Sequence, residues 1–302
     1  MTFFLMRAVR CRRFSLRRRR LAPAALAGLL CGALPPAHAG DRLLGTWGVT
    51  QVEGAAGGGL VPWALIAGGG SRDQIGATAF ATTWRSQGGY ALRAAGVAVG
   101  LHDSVELSLA RWRFGLSDTV PGESIGLDVA GAKWRVWGDA VHDQDRWWPQ
   151  VALGAQYKRN RDMAVPTALG ARRGSDVDVY ASATKVWLAG LAGRNTLANL
   201  TLRATRANQF GLLGFGGDRG DARRIEPEVS LAVFVRDDMA LGAEWREKPD
   251  RLSAFREQAA QDVFVAWYPS RHFSATLAWV NLGTVANKSS QRGWYLSVQA
   301  AL

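Results

Sequence analysis

The chain has 302 residues, 48% of them hydrophobic, with 35 glycines and 13 tryptophans against only 5 tyrosines. Those fractions exclude a disordered chain, which would be poor in aromatic and apolar residues. A formal net charge of +12 resembles that of a nucleic-acid binder, so the location of the charge decides what it means.

All eight basic residues before position 40 are arginines (positions 7, 10, 12, 13, 17, 18, 19 and 20), with no acidic residue among them. An apolar run from Leu21 to Leu34 follows, then Pro35-Pro36 and Ala37-His38-Ala39. That order is a basic region, an apolar region of secretory length and an A-x-A cleavage site, so residues 1–39 read as a Sec signal peptide. Residues 40–302 then form the mature protein, read as a single outer-membrane domain. It carries 29 basic and 25 acidic groups. A net of +4 lacks the dense basic patch that phosphate neutralisation requires, so no nucleic-acid partner is expected. Cys11 and Cys31 both lie in the leader, so disulfides and thiolate metal sites are excluded downstream of it.

The remainder has no apolar run of about 18 residues, hence no transmembrane helix. It alternates instead. Val151, Leu153, Ala155 and Tyr157 interleave with Gln156 and Lys158; Leu200, Leu202 and Ala204 with Thr201, Arg203 and Thr205. Val229, Leu231, Val233 and Val235, then Phe273, Ala275, Leu277 and Trp279, repeat the pattern. At the end Trp294, Leu296, Val298 and Ala300 oppose Tyr295, Ser297, Gln299 and Ala301. Apolar faces opposite small or charged ones suit a barrel with lipid outside and a polar lumen inside.

Strands are predicted over 43–52, 60–70, 75–85, 90–100, 105–114, 123–137, 147–159, 176–189, 195–210, 223–235, 239–247, 261–268, 272–283 and 291–302. Odd-numbered connections between them average about ten residues and even-numbered ones about five, the alternation of outer loops and periplasmic turns. The short set carries turn chemistry: Ser71-Arg72-Asp73, His102-Asp103-Ser104, Arg236-Asp237-Asp238 and Pro269-Ser270-Arg271. The expectation is an all-β, transmembrane antiparallel up-and-down β-barrel of 14 strands. The alternation is expected to change phase near Ala110 and Gly131, as bulges would cause. Trp84, Trp112, Trp245, Trp279 and Trp294 fall towards the outer strand ends. Trp47, Trp137, Trp147, Trp148, Trp187 and Trp267 fall towards the periplasmic ends, together giving two aromatic girdles.

The segment Gln51 to Arg72 fits less well, because glycine clusters bracket Leu60 to Ile66 and Pro62 suits only an edge or a bulge. A barrel hairpin is the first reading. The alternative is twelve strands, with residues 41–70 folded inside as a plug or gate built on Gly57, Gly58, Gly59, Pro62 and Trp63. A phosphate loop is excluded for lack of the P-loop lysine. Arg219-Gly220-Asp221 reads as a flexible outer loop, and no metal site or cofactor is expected.

No enzyme is expected either. His102, His142 and His272 all fall in or beside periplasmic turns, away from the outer leaflet where a barrel hydrolase would work. His142-Asp143-Gln144-Asp145 is read as a solvated turn. The lumen-facing charges say more: Lys133, Arg135, Lys158, Lys185, Arg203 and Arg246 against Glu106, Asp128, Glu228 and Glu244. Opposed rows of this kind either set ion preference in a channel or pair across a closed interior.

The blocks Gln51–Gly59, Pro62–Ile66, Asp139–Trp147, Gly211–Gly220 and Gln291–Leu296 resemble those of the proteobacterial domain of unknown function 3034 family. The resemblance spans essentially the whole of 40–302. It implies an outer-membrane protein with no established activity, from which no catalytic residue carries over. Such barrels usually end in Phe where this chain has Leu302, yet the alternation before it is kept, so the final strand is still expected to engage the barrel-assembly machinery. Three functions follow: a porin-like channel for passive passage of small polar or anionic solutes, a plugged transporter of apolar compounds, or a non-conducting barrel. Each has outer-membrane lipid as a partner.

Overall fold

The computed structural model describes residues 44, 45 and 47–302; the expected leader at 1–39 lies outside the described residues. Twelve strands form the wall: β3 (Ile75–Ser86), β4 (Ala91–Leu101), β5 (Val105–Gly115), β6 (Ser124–Trp137), β7 (Gln150–Asn160), β8 (Ser175–Leu191), β9 (Arg194–Thr205), β10 (Arg224–Arg236), β11 (Met239–Arg246), β12 (Ala260–Ser270), β13 (Phe273–Asn281) and β14 (Arg292–Ala301). Each pairs antiparallel with the next, and β14 pairs with β3, closing the barrel. The seam runs Trp294 opposite Arg85, Leu296 opposite Thr83 and Val298 opposite Ala81. Beyond it Ala77 and Leu302 exchange two backbone hydrogen bonds of 3.1 and 2.9 Å. Closure leaves no strand edge unpaired.

The outward face explains why these residues form strands. Leu107, Leu109, Leu153, Leu200, Leu202, Leu231 and Val263 all point outward and are 47–66% exposed. A belt of large aliphatics on every second residue is what a bilayer solvates and water does not. Inward residues are almost all buried, so the lumen is filled. The connections alternate as well: turns 102–104, 192–193, 237–238 and 271–272 lie at one end with the longer 138–149. Loops 87–90, 116–123, 161–174, 206–223, 247–259 and 282–291 lie at the other. One short helix, α1 (Ala164–Ala168), sits in the third of these loops.

Two expected strands are not in the wall. Of the expected strands at 43–52 and 60–70, the described residues 47–52 and 60–70 belong to an N-terminal segment that lies inside the barrel, where it forms only the two-residue ladder β1 (Val49–Thr50) with β2 (Ala56–Gly57). The wall therefore has twelve strands, the alternative count. Pro62 donates no backbone bond, and the polar backbone of this segment pairs with lumen side chains rather than with a neighbouring strand. Gly57 shows how tight the fold-back is: a Cβ there would stand 2.2 Å from the Val61 carbonyl oxygen.

The phase change expected near Ala110 and Gly131 is absent. Glu106, Ser108, Ala110, Trp112 and Phe114 are all buried inward, as are Leu127, Val129 and Lys133 on the next strand, and β5 and β6 pair without a bulge across this region. What changes is the chemistry of the lumen, apolar towards the long loops and polar in the middle. Asp128, expected inside, points outward and accepts from Arg111 Nε at 2.8 Å. Trp84 and Trp112, expected in a girdle, are 1% exposed within the lumen, and Trp47 is buried too. Outward belts remain: Trp134, Trp137, Trp147, Trp187 and Trp267 towards the short turns, and Trp294 edge-on to Trp279, 5.0 Å between centroids, towards the loops.

Replacing Leu231, midway along β10 on the outer face, with arginine is expected to cost about 2–4 kcal/mol. Urea titration of the protein refolded in vesicles measures this; an unchanged midpoint would place this face out of lipid.

Candidate functional site: the filled lumen

The centre of the lumen is organised by one carboxylate. Glu53, on the inner segment, touches Lys158 from β7 and accepts from Arg246 of β11 at 2.9 and 3.2 Å, while Arg203 of β9 stands 3.8 Å away. Gln51 Nε2 adds a bond of 2.8 Å. All four charged groups are buried. Burial works against the Glu53 charge, but Arg246, Lys158 and Arg203 outweigh it and hold its carboxyl well below the usual range. The wall supplies two further anions. Asp178 lies 2.7 Å from Lys158, and Glu228 bridges Arg203 at 2.5 Å and Arg246 at 3.2 Å. Three cations and three anions make this cluster neutral; without Glu53 it keeps one positive charge in excess. Arg203 is further held by Gln156 at 2.7 Å and by the Tyr180 ring.

The rest of the segment is fastened residue by residue. Glu106 accepts from the backbone N–H of Ala56 and Ala67 and pairs with Lys133 at 3.0 Å. Lys133 donates onward to the carbonyls of Ala56 and Trp63. The Pro62 carbonyl accepts from Thr201 at 2.8 Å and Ser182 at 3.2 Å, while Gln150 and Thr184 hold the carbonyl and N–H of Ala64. Glu244 accepts from the Leu60 N–H and from Ser230, both at 2.6 Å. Gly58 packs against that carboxylate so closely that a Cβ would fall 2.0 Å from Oε1. A buried backbone needs every one of these partners.

Towards the long loops the lumen turns apolar. Val52 and Leu60 of the inner segment meet Trp84, Trp112 and Phe114 of the wall, and loop 206–223 dips in to add Phe210 and Leu212. Gln209 and Phe210 adopt left-handed backbone, with φ of 45° and 64°, to make that dip. Phe210 stands edge-on to Trp112, and the Arg246 guanidinium lies 4.4 Å from its ring centroid. Loop 247–259 locks over it, with Lys248 bonded to Glu257 at 3.1 Å and to Gln209 at 3.0 Å. Two residual cavities of about 20 Å³ each remain among these side chains, each with room for a single water.

Of the ten charged residues expected to face inward, Glu106, Lys133, Arg135, Lys158, Arg203, Glu228, Glu244 and Arg246 do so but line no open path, Asp128 points outward, and Lys185 lies on the outward face of β8 with Val179 and Trp187, buried beneath the 138–149 turn. Arg135 instead pairs with Asp103 at 2.5 Å and lies 3.8 Å from Asp139, near the short turns. Lys185 donates to the Asp143 carbonyl in the 138–149 turn. Gly57, Gly58, Gly59, Pro62 and Trp63 all lie within the lumen. The sequence reading did not single out Glu53, Asp178 or Gln156. Glu53 did carry a signal: it is the one carboxylate between Leu44 and Arg72. His142 sits beside Asp139 at 3.1 Å, and Arg219-Gly220-Asp221 is pinned by Arg219–Asp250 and Arg173–Asp221 pairs rather than left loose. Among the described residues no group of three or more His, Cys, Asp or Glu is placed to hold a metal ion.

Residues 46–299 match the model of the family described as protein of unknown function (DUF3034). The chain belongs to that family. Among solved structures it is similar to the KdgM porin, at 7% identity over 74% of this chain and 98% of that one, with a TM-score of 0.46. The outer membrane protein Omp33 of Acinetobacter baumannii matches at 10% identity, 76% and 98% coverage and a TM-score of 0.40. The COG4313 outer membrane channel from Pseudomonas putida F1 does so at 10% identity, 80% and 96% coverage and 0.34. No curated protein matches the chain.

Replacing Glu53 with alanine strands three buried cations on two anions, a loss of about 3–5 kcal/mol for the segment's attachment. A single cysteine at Ala55, protected from a water-soluble maleimide in the parent protein, is expected to become reactive in the Glu53→Ala variant. Unchanged protection would mean that the ion cluster is not the anchor.

Proposed function

We propose that this family member is a porin-like outer-membrane barrel, closed in the state described by its own N-terminal segment, that passes small anionic solutes when the segment shifts. The observation that carries the reading is the seat of the Glu53 carboxylate. Three cations from β7, β9 and β11 converge on a carboxylate that belongs to a tethered segment and not to the wall. Withdrawal of the segment leaves Lys158, Arg203 and Arg246 in excess over Glu228 and Asp178, and an incoming anion restores neutrality. Charged rings at a constriction select ions by this means. The short turns carrying His102, His142 and His272 then face the periplasm, the long loops face outward, and the arginine-rich leader directs export through the Sec pathway.

A second reading has its own support. The outer half of the lumen, lined by Trp84, Trp112, Phe114 and Phe210, suits an apolar solute. The two are separated by what crosses once the segment is loosened.

In planar bilayers the heat-modifiable, folded parent protein is expected to be silent or to open only briefly. A variant lacking residues 51–66 is expected to give stable steps with anion preference. Neutralising Arg203 or Arg246 in that background should lower the preference. A folded deletion variant that stays silent, or that favours cations, would overturn the anion-channel reading. Uptake by vesicles of an uncharged aromatic solute, without ion conductance, would favour the apolar one.

A further inference from the structure

The outer face of the barrel is not uniform around its circumference. At the loop end of β3 to β7, six arginines point away from the lumen: Arg85, Arg93, Arg111, Arg113, Arg159 and, just past β7, Arg161. Arg93 and Arg113 are directly opposed across β4 and β5. The neighbouring row runs Ala95, Arg111, Asp128, Arg159 over four strands. At the corresponding level on β8 to β13 the outward residues are uncharged, as with Val177, Leu202, Ile225, Trp245, Val263 and Trp279. Arg292, outward at the loop end of β14 beside β3, extends the same arc, so the charge is confined to one side and is no general feature of the rim.

This wall lacks the anions to balance it. Asp128 serves Arg111 at 2.8 Å and Arg161 at 3.7 Å. Asp162 spends an oxygen on the Gly126 N–H at 2.7 Å, and Glu123 lies in the exposed loop above. Arg113 donates to the Ser124 hydroxyl, but among the described residues Arg85, Arg93, Arg113 and Arg159 make no ion pair. Like charges directly opposite on one sheet face destabilise the pair, and arginine on a lipid face is costly unless it reaches the interface. Their depth is set by neighbours: Leu107 and Leu109 continue below Arg111 as apolar membrane surface, and Arg85 stands in register with the belt residue Trp294. The guanidinium groups are thus at headgroup level, in the leaflet that the long loops face.

We propose that this wall is a binding site for the phosphates of an outer-leaflet glycolipid, whose acyl chains lie along Val97, Leu107 and Leu109. Guanidinium forks match phosphate oxygens in a bidentate manner, and a lipid with two phosphates satisfies opposed arginines that no carboxylate among the described residues serves. The site rests on the outer-membrane placement above but not on transport, so loss of the lipid and loss of conductance are separate results.

The test refolds residues 40–302 into phosphatidylcholine vesicles, with or without diphosphorylated lipid A, and reads the midpoint of heat-modifiable gel migration and lipid retained in native mass spectrometry. Lipid A is expected to raise the midpoint and to remain as a one-to-one adduct. The folded Arg93→Gln/Arg113→Gln variant should retain it roughly tenfold less well or worse, given charge-assisted bonds of about 1.5–3 kcal/mol. Arg93→Lys/Arg113→Lys, which keeps charge without the fork and covers the event that the neutral variant fails to fold, should fall between. Arg236→Gln at the short-turn end should behave as the parent. An equal effect from phosphatidylglycerol, from free pyrophosphate or from lipid A stripped of its phosphates would overturn the proposal in favour of plain charge screening. So would retention that none of the Arg93 and Arg113 substitutions weakens.

Discussion

A lumen shut off from water cannot leave a polar group without a partner, and that constraint shapes everything inside this barrel. The inner segment brings its own backbone into a dry space with almost no secondary structure of its own. Some of its N–H and carbonyl groups bond one another, as Val52 N–H does to the Gly59 carbonyl at 3.0 Å, and others are met by side chains of the wall: Glu106, Lys133, Gln150, Thr184, Thr201 and Glu244 all serve backbone atoms. Glu53 completes the arrangement by neutralising the three cations that the wall's own carboxylates leave one short. Wall and segment are each electrostatically incomplete alone, which makes their docking specific in register as well as favourable in energy.

The lumen is layered along its axis, and the layering follows from which elements meet at each level. At mid-height only strands and the segment are present, so polar side chains and backbone satisfy one another. Nearer the loops, segment 206–223 folds inward and places Phe210 and Leu212 against Trp84 and Trp112, so contacts there are apolar. Arg246 stands at the boundary, with its charge on Glu53 and its face on Phe210. The two layers are coupled through that one side chain, so a displacement of the loop disturbs the ion cluster and the reverse.

Most of the wall was legible in the sequence because lipid imposes a strict rule on every second residue. The expected bounds of β3 to β14 agree with the structure to within a few residues, save that the expected seventh and ninth strands overran by three at 147 and by five at 210. The inside was not legible in the same way, since a side chain that meets a plug obeys no period. The apparent slips at Ala110 and Gly131 came from reading a change of lumen chemistry as a change of direction. Trp84 and Trp112 were misplaced because tryptophan serves a membrane interface and a packed interior equally well. The segment itself looked like a strand because Leu60 to Ile66 is apolar. What distinguished it was Pro62, the flanking glycines and a lone glutamate, local features whose partners lie more than 100 residues away.

Those separations carry a consequence for biogenesis. Glu53 lies 105 residues from Lys158 and 193 from Arg246, and the segment is joined directly to β3, the strand on which β14 finally closes. The part that fills the barrel is therefore made before any strand of the wall, and its binding site is among the last to exist. Contacts so distant in sequence reward the chain only after most of the loop-closure entropy has been spent, which makes the ion cluster a late event in folding. Until then Glu53 and the glycine-rich turn remain unburied beside an open seam. Completion of the seam and capture of the segment thus become one cooperative step, so that a barrel sealed around nothing is a state its own folding order disfavours.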